Sequence, residues 1–184
     1  MRFAKSTLSY GAARELPPDR KSLPFEELIE EVRESIGAQP EAGIRWIFSI
    51  ERGLTVDADR EQMLRVLINL TRNAVQALET RAPNEPSRDQ IRITGRREGA
   101  VAVIELADTG PGLPEKAKLH LFEAFQASTR AGGTGLGLTI AAELIRAHGG
   151  EIRLVDGTIG ATFRITIPDR AVDLQAWRSG TARA

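Results

Sequence analysis

Two glycine clusters, each next to a predicted regular element, constrain this chain more than any other feature. The first, DTGPG from Asp108 to Gly112, follows the end of a predicted strand, and the second, GGTGLGL from Gly132 to Leu138, opens a predicted helix. Glycine lets backbone N–H groups approach an anion closely, and the start of a helix adds the positive end of its dipole. The region therefore predicts a site for a polyphosphate, made of two loops and a helix start.

The spacing of these glycines does not match the familiar phosphate-binding motifs. The chain contains no G-x-x-x-x-G-K-[ST] sequence, and the run from Gly133 to Gly137 is G-x-G-x-G and not G-x-G-x-x-G. It also lies late in the chain and does not follow a first strand, which argues against a dinucleotide-binding fold. A glycine cluster alone is equally typical of a flexible loop, so its interpretation depends on what lies beside it.

A predicted helix from Asp59 to Glu79 supplies the second half of the site. Asp57 or Asp59 can cap its start, and Glu61 lies in its first turn. At ~100° per residue its apolar side chains form one core face. The members of that face are Met63, Val66, Leu67, Leu70, Ala74, Ala77 and Leu78. A separate polar stripe, flanked by apolar residues, comprises Arg65, Asn69, Asn73, Gln76 and Thr80.

The two asparagines of this stripe stand one helical turn apart and therefore point the same way. Asparagine is a mediocre helix former, so two of them on one stripe need an explanation. One explanation is a solvated helix face, or an amide that bonds to a nearby loop. The other is that the amide oxygen of Asn73 completes the coordination of a Mg²⁺ ion that phosphates and waters already hold.

Together these motifs resemble the catalytic, ATP-binding domain of sensor histidine kinases, within the wider family that includes gyrase and MutL-type ATPases. The motifs occur in the order of that family, and the similarity extends from about Leu23 to Pro168. They are the N box (Asn69 to Ala74), the first glycine box (Asp108 to Gly112), the F box (Leu121 to Phe125), the second glycine box (Gly133 to Leu138) and the last glycine box (Gly160 to Phe163).

The resemblance implies a role for each matching residue in binding ATP. The carboxylate of Asp108 accepts a hydrogen bond from the exocyclic amine of adenine, which favours ATP over GTP because guanine presents a carbonyl there. The alternative is an aspartate that only caps a turn. Thr162 supports the adenine site through water, and Gly110 and Gly112 let the chain pass under the base. The nucleotide contacts expected from the second glycine box are Thr134, Gly135, Leu136, Gly137 and Leu138.

The same resemblance implies which residues contact the metal and the phosphates, and this chain departs from the family pattern at Gln76. Asn73 matches the family's Mg²⁺ ligand. Asn69 stands where the ATP-hydrolysing relatives carry a glutamate that activates water, and this difference favours phosphoryl transfer over hydrolysis. Gln76 departs from many kinases, which carry a phosphate-binding lysine at that place. Arg130, four residues before Thr134, can supply part of the missing positive charge.

The F box and the two histidines are the remaining residues that bear on the resemblance. Phe122 and Phe125 are expected to anchor a lid, residues 126–132, that is mobile without nucleotide. His120 and His148 lack the neighbouring acid of a phosphoacceptor histidine, so both are predicted to be structural. A positively charged His148 ring would favour the end of the helix that precedes Gly149. The phosphoacceptor is therefore expected on a separate dimerisation domain.

The order of the predicted elements indicates one α/β domain. Strands and helices do not alternate regularly, which argues against a doubly wound parallel sheet. Helices from Leu23 to Ile36, from Asp59 to Glu79 and from Thr139 to His148 accompany about five strands. The expected fold is a two-layer sandwich of one mixed sheet and three helices, the Bergerat-type ATP-binding fold. Residues 1–18 are expected to be the end of a dimerisation helix and its linker, 19–170 the catalytic domain, and 171–184 a polar tail.

Composition limits the remaining possibilities. The 25 basic and 25 acidic residues cancel, so no net charge attracts nucleic acid or an anionic membrane. The absence of cysteine excludes disulfides and thiolate chemistry. No apolar run approaches ~20 residues, the length of a membrane-spanning helix. The chain is therefore expected to be cytoplasmic and to make no membrane contact of its own, although its parent protein can carry a membrane anchor.

The leading interpretation is the kinase domain of a two-component sensor. The resemblance implies that such a protein works as a homodimer, phosphorylates a histidine of its dimerisation domain, and passes the phosphate to the receiver domain of a response regulator. Two other interpretations stay open. One is a serine kinase of the anti-sigma type with the same fold, and the other is a non-catalytic nucleotide-binding scaffold, for which Gln76 leaves room.

Overall fold

Strands and helices alternate irregularly along the part of the chain that the computed structural model describes, which is residues 16–37, 43–79, 89–118, 120–122, 136–156 and 158–170. The strands are β1 (Lys21–Pro24), β2 (Arg45–Ile50), β3 (Thr55–Ala58), β4 (Gln90–Glu98), β5 (Val101–Asp108), β6 (Glu151–Leu154) and β7 (Thr162–Pro168). The helices are α1 (Phe25–Ile36), α2 (Arg60–Glu79), the single turn α3 (Glu115–Lys118) and α4 (Gly137–Ala147).

One mixed sheet contains five of the strands, in the order β2-β4-β5-β7-β6. β2 pairs with β4 in parallel, and the other neighbours in this sheet are antiparallel. β4 and β5 form a hairpin, and β7 pairs with β5 so that Thr162 lies opposite Ala107. The register thus brings Asp108, at the end of β5, beside the start of β7.

The long helices cover one face of this sheet. Alternate residues of the central strands point towards that face and are buried, including Ile91, Ile93, Ile104 and Leu106. α2 packs on β4 and β5, α4 packs on α2 and β6, and α1 packs on α2. The predicted two-layer α/β sandwich, with one mixed five-stranded sheet, is confirmed. Among the described residues, no helix combines the length and the apolar character that crossing a membrane requires.

The core face of α2 agrees with the sequence pattern except at two positions. Every residue predicted for that face is buried apart from Ala77, which is half-buried. Thr71 is also buried, although it is polar, because its hydroxyl donates a hydrogen bond to the Leu67 carbonyl one turn earlier at 2.7 Å. The helix therefore buries a wider face than its apolar residues alone predict.

The predicted start of the first helix, at Leu23, is wrong. Leu23 lies instead in β1, which forms a separate two-stranded antiparallel sheet with β3, and it pairs with Val56. The helix begins at Phe25, whose backbone N–H donates to the Leu54 carbonyl at 2.9 Å. Pro24 fits both roles, since it ends the strand and its extended backbone precedes the first helical turn.

The start of α2 and the end of α4 are joined by a buried histidine. Asp59 caps α2, because its Oδ1 accepts the Gln62 backbone N–H at 3.1 Å. Nδ1 of His148 donates to the Leu144 carbonyl at 2.7 Å, and its Nε2 accepts the Asp59 backbone N–H at 2.9 Å. Because Nε2 accepts a hydrogen bond here, the favourable contact that a positive ring could make with the end of the helix does not arise. His148 instead cross-links two helices.

Asp57, the other predicted cap, binds the two ends of the described chain. Its Oδ2 accepts the Arg170 backbone N–H at 2.8 Å and lies 3.3 Å from the Arg20 guanidinium. Burial raises the pKa of Asp57, but hydrogen bonds from Arg170 and the charges of Arg20 and Arg170 outweigh burial and hold that pKa below its ordinary value. Arg20, Asp57, Asp59, His148 and Arg170 together are called the helix junction below.

Replacing Asp57 with asparagine should destabilise the protein near neutral pH and have little effect in acid. A carboxyl whose pKa is lower in the folded state than in the unfolded state, about 3.9, stabilises the fold above about pH 4. That contribution is lost as the pH falls through the folded pKa. We expect Asp57→Asn to lower the free energy of unfolding by about 1–2 kcal/mol at pH 7, and the difference to shrink below pH 4.

Urea denaturation at several pH values measures this difference, and Asp19→Asn is the matched control. The Asp19 carboxylate pairs with Lys21 at 2.8 Å on the open surface, and its pKa is also lowered, first by the hydrogen bond from Lys21 and then by the charge of Lys21. Water screens that pair, so Asp19→Asn should leave the stability almost unchanged. An equal and pH-independent loss in both variants would contradict the prediction.

Several predicted segments lie outside the described residues. These are residues 1–15 of the expected dimerisation stub and the tail from residue 171. Leu16 is described, is exposed and belongs to no regular element. Thr80, the last member of the predicted polar stripe, lies outside as well, together with residues 81–88. The assignments of residues 1–18 to a dimerisation stub and of 171–184 to a tail therefore stay predictions.

Candidate functional site

The polar stripe of α2 meets the start of α4. The side chains of Asn69 and Asn73 are half-buried, whereas Arg65 and Gln76 are exposed. Nδ2 of Asn69 donates to the Gly137 carbonyl at 3.4 Å, a long hydrogen bond. A Cβ atom added to Gly137 would lie 3.8 Å from Cγ of Asn69, so the two helices touch at this point.

The start of α4 has the properties of an anion site. Leu136 occupies the N-cap position and its side chain makes no capping hydrogen bond. The first intrahelical bond runs from the Ile140 N–H to the Leu136 carbonyl at 2.9 Å. The N–H groups before Ile140 therefore have no acceptor within the helix, and the helix dipole adds a partial positive charge there. Leu136, Gly137 and Leu138, all predicted nucleotide contacts, are half-buried at this end of α4.

Asp108 is a buried carboxylate that two backbone N–H groups hold in place. Only 4% of the residue is exposed. Its Oδ1 accepts the Gly110 N–H at 2.8 Å and the Ala161 N–H at 3.3 Å, and its own N–H donates to the Ala161 carbonyl at 2.9 Å. The loop after β5 and the turn before β7 thus fix one carboxylate oxygen from both sides, which leaves the side chain little freedom to rotate.

The glycines around Asp108 allow three elements to come together. A Cβ atom on Gly110 would lie 2.8 Å from Oδ1 of Asp108 and 3.2 Å from Cβ of Ala77, which is on α2 one turn after Asn73. A Cβ atom on Gly112 would lie 3.0 Å from the Gly160 carbonyl oxygen. The first glycine box is therefore packed between α2 and the turn that precedes β7, and a side chain at either position would separate them.

Thr162 and Phe122 border this region. Thr162 is buried at the start of β7, next to the Ala161 N–H group that binds Asp108. Phe122 is half-buried and packs against the hydrophobic core, and its role as a lid anchor stays a prediction. Phe125, Arg130, Thr134 and Gly135 lie outside the described residues, so their roles stay predictions.

The backbone groups that position these side chains could not be predicted from the residue types. The Ala161 N–H and the close approach of Ala77 to Gly110 were not predicted. Almost every residue type has a backbone N–H group, so the sequence gives no signal for this donor. Ala77 also fitted the predicted core face of α2, so nothing marked it as a neighbour of Gly110. The described residues thus bring Asn69 to the start of α4, and bring Asp108, Gly110 and Gly112 to the turn before Thr162.

Comparison with known proteins gives a family match over most of the domain. The family described as "Histidine kinase-, DNA gyrase B-, and HSP90-like ATPase" matches residues 58–171. The chain is 37% identical over 111 residues to the nitrogen regulation protein NtrY of Azorhizobium caulinodans, covering 59% of this chain and 14% of NtrY. It is 32% identical over 164 residues to the sensory histidine kinase/phosphatase NtrB of Rhizobium leguminosarum bv. phaseoli, covering 84% of this chain and 43% of NtrB. The chain thus spans less than half the length of either relative.

Solved structures show the same fold. The catalytic domain of the histidine kinase ThkA, in a nucleotide-free form, superimposes with a TM-score of 0.71 at 30% identity, and the match covers 82% of this chain and 96% of that domain. ThkA in complex with the response regulator protein TrrA gives a TM-score of 0.67 at 28% identity, covering 83% of this chain and 42% of ThkA.

Proposed function

Because the chain belongs to the histidine kinase-, DNA gyrase B- and HSP90-like ATPase family, we propose that it is the ATP-binding catalytic domain of a two-component sensor histidine kinase. The observation that carries the proposal is the arrangement of α2. Asn69, in its polar stripe, contacts Gly137 at the start of α4. Ala77, two turns later, lies against Gly110 in the loop that holds the buried Asp108 carboxylate. A helix start suited to phosphates and a carboxylate suited to adenine therefore flank the same helix.

Asp108 is proposed to select adenine. Two N–H groups already orient its Oδ1, so the carboxylate presents an acceptor in a fixed direction. The exocyclic amine of adenine matches an acceptor, whereas the carbonyl of guanine at the same place does not. Gly110 and Gly112 carry no side chain that would obstruct the base. Thr162 is proposed to hold a water beside the base, because it follows Ala161, whose N–H binds the same carboxylate.

Asn73 is proposed to bind Mg²⁺ together with the nucleotide. In the part of the chain that the structure describes, no three His, Cys, Asp or Glu side chains converge as a metal site. A metal ion here would therefore depend on phosphate oxygens as well as on the amide oxygen of Asn73, which is the usual arrangement for Mg²⁺. When bound, Mg²⁺ neutralises charge on the phosphates. Asn69, the start of α4 and Arg130 are proposed to hold the phosphate oxygens, with Gln76 a weaker contact than lysine.

The chemistry proposed is transfer of the γ-phosphate of ATP to a histidine of a dimerisation domain. Asn69 is an amide and cannot act as a general base at neutral pH, which favours phosphoryl transfer over hydrolysis. His148 uses both ring nitrogens in hydrogen bonds inside the fold, so it is not the acceptor. ThkA was solved with a response regulator, and this likeness supports a receiver domain as the next acceptor. We place the kinase, as a homodimer, in the cytoplasm.

Replacing Asn73 with alanine tests the metal and nucleotide site together. Loss of one contact to a charged ligand costs about 1.5–3 kcal/mol, so Asn73→Ala should weaken ATP binding at least about tenfold when Mg²⁺ is present. Without Mg²⁺ the two proteins should bind ATP almost equally. Isothermal titration calorimetry measures both conditions, and Ser49→Ala, at an exposed position of β2, is the control variant.

The reaction itself requires the domain joined to its dimerisation helices. Given Mg·ATP, that protein should form an acid-labile phosphohistidine. Acid-stable phosphoserine on a partner would favour the serine kinase instead, and ATP binding without any phosphoryl transfer would favour the nucleotide-binding scaffold.

A further inference from the structure

Arg20 anchors the segment that precedes β1 (residues 16–20, the leading segment) to the helix junction. Its Nε donates to the Asp57 carbonyl at 2.9 Å and its Nη1 to the His148 carbonyl at 2.8 Å. Nη2 donates to the Pro168 carbonyl and lies 3.3 Å from Oδ2 of Asp57. Only 12% of the side chain is exposed. A single guanidinium therefore binds the ends of β7 and α4 and the strand before α2.

The backbone of the leading segment is held at further points. The Asp19 N–H donates to Oδ2 of Asp59, the α2 cap, at 2.9 Å. The Gln62 side-chain amide donates to the Leu16 carbonyl at 3.0 Å, and Arg170 donates to the Arg20 carbonyl at 2.6 Å. If Arg20 only neutralised the charge of Asp57, the backbone of the leading segment would not need to be held as well. Together they fix the direction in which the chain approaches the domain.

α2 and α4 connect this junction to the candidate nucleotide site. At one end the two helices are joined by the His148–Asp59 bond, and at the other by the Asn69–Gly137 bond. They therefore run antiparallel, and α4, with 11 residues, spans about 16 Å at 1.5 Å per residue. Arg20 binds the carbonyl of His148, directly after the last residue of α4, and the first residue of α4 borders the site.

We propose that Arg20 is a positioning residue that couples nucleotide binding at the start of α4 to the order and direction of the leading segment. The proposal rests on the nucleotide site proposed above. Nucleotide bound at one end of the helix pair restricts the motion of both helices. Less conformational entropy is then lost when the leading segment is held at the other end of the pair. Coupling of this kind is reciprocal, so releasing the leading segment must weaken nucleotide binding by the same factor.

Hydrogen exchange of the 184-residue chain, with and without Mg²⁺ and a non-hydrolysable ATP analogue, tests the coupling. In the wild type, nucleotide should slow exchange of the amides from Asp19 to Leu23. In Arg20→Gln, these amides should exchange faster, nucleotide should no longer protect them, and affinity should fall about fivefold. Arg20→Lys keeps the charge but lacks the planar fork, so it should recover only part of the protection.

Arg96→Gln is the control variant, because it removes the same charge as Arg20→Gln at a site away from the helix junction. Arg96 pairs with Glu98 and Glu105 on the opposite face of the sheet. This variant should behave as wild type in both measurements. Should Arg20→Gln fail to fold, Arg170→Gln removes the bond to the Arg20 carbonyl and should show the same loss of coupling in weaker form. Nucleotide binding that leaves exchange of residues 19–23 unchanged in the wild type would overturn the coupling alone. Absence of nucleotide binding to the wild type would overturn the proposed function and the coupling with it.

Discussion

Asp108→Asn should weaken ATP binding about 10- to 100-fold while the protein stays folded. The carbonyl oxygen of asparagine can still accept the Gly110 and Ala161 N–H groups that bind Oδ1. The amide nitrogen then takes the place of the second carboxylate oxygen and offers a donor where adenine also offers one. Two buried donors facing each other cost about 1–3 kcal/mol, which sets the expected loss of affinity.

Calorimetry with ATP and GTP distinguishes loss of base recognition from general damage to the site. The variant should lose its preference for ATP, because an amide donor suits the guanine carbonyl better than a carboxylate does. Asp156→Asn, at an exposed position after β6, removes the same charge and should bind ATP as wild type does. Unchanged ATP affinity in Asp108→Asn would mean that the carboxylate serves only the turn, which is the alternative that the sequence left open.

Local sequence patterns predicted the elements that carry the site. α2 is long and strongly periodic, so its core face and its amide stripe could be assigned before the fold was known. The hairpin of β4 and β5 has alternating apolar residues on both sides of a turn, and Asp108 follows directly from the end of β5. Glycine boxes mark loops by composition alone. These features depend on residues close together in the chain, which is why the sequence was sufficient.

Features that depend on distant residues could not be predicted. β1 has four residues and is a strand only because it pairs with β3, where Lys21 meets Ala58. Arg20 stands in a charged, proline-rich stretch typical of a linker, and its burial depends on carbonyls contributed by β7 and by the residue that follows α4. The bond between the Ala161 N–H and Asp108 joins residues far apart in sequence and involves a backbone group. Proximity of that kind follows from the sheet register and leaves no signal in residue type.

Gly160→Ala should destabilise the fold by more than the loss of the Asp57 carboxylate does. Gly160 has φ +72°, and a Cβ atom built there would lie 2.0 Å from the Asp108 carbonyl oxygen and 2.8 Å from Oδ1 of Asp108. The left-handed backbone costs alanine about 1–2 kcal/mol, and forced displacement of packed atoms typically costs a further 1–3 kcal/mol, about 2–5 kcal/mol together. The displaced atoms are backbone of β5, which the sheet holds on both sides, so they cannot move freely.

Gly53→Ala separates these two contributions to the free energy of unfolding. Gly53 has φ +73°, almost the same backbone conformation, but a Cβ atom there would meet no atom within 4 Å. Urea denaturation should therefore show a loss of about 1–2 kcal/mol for Gly53→Ala and a clearly larger loss for Gly160→Ala. Equal losses would show that the turn before β7, which carries the Ala161 N–H group that binds Asp108, moves away at little cost. In that case the carboxylate would not be held rigidly, and base recognition through its fixed direction would lose its physical basis.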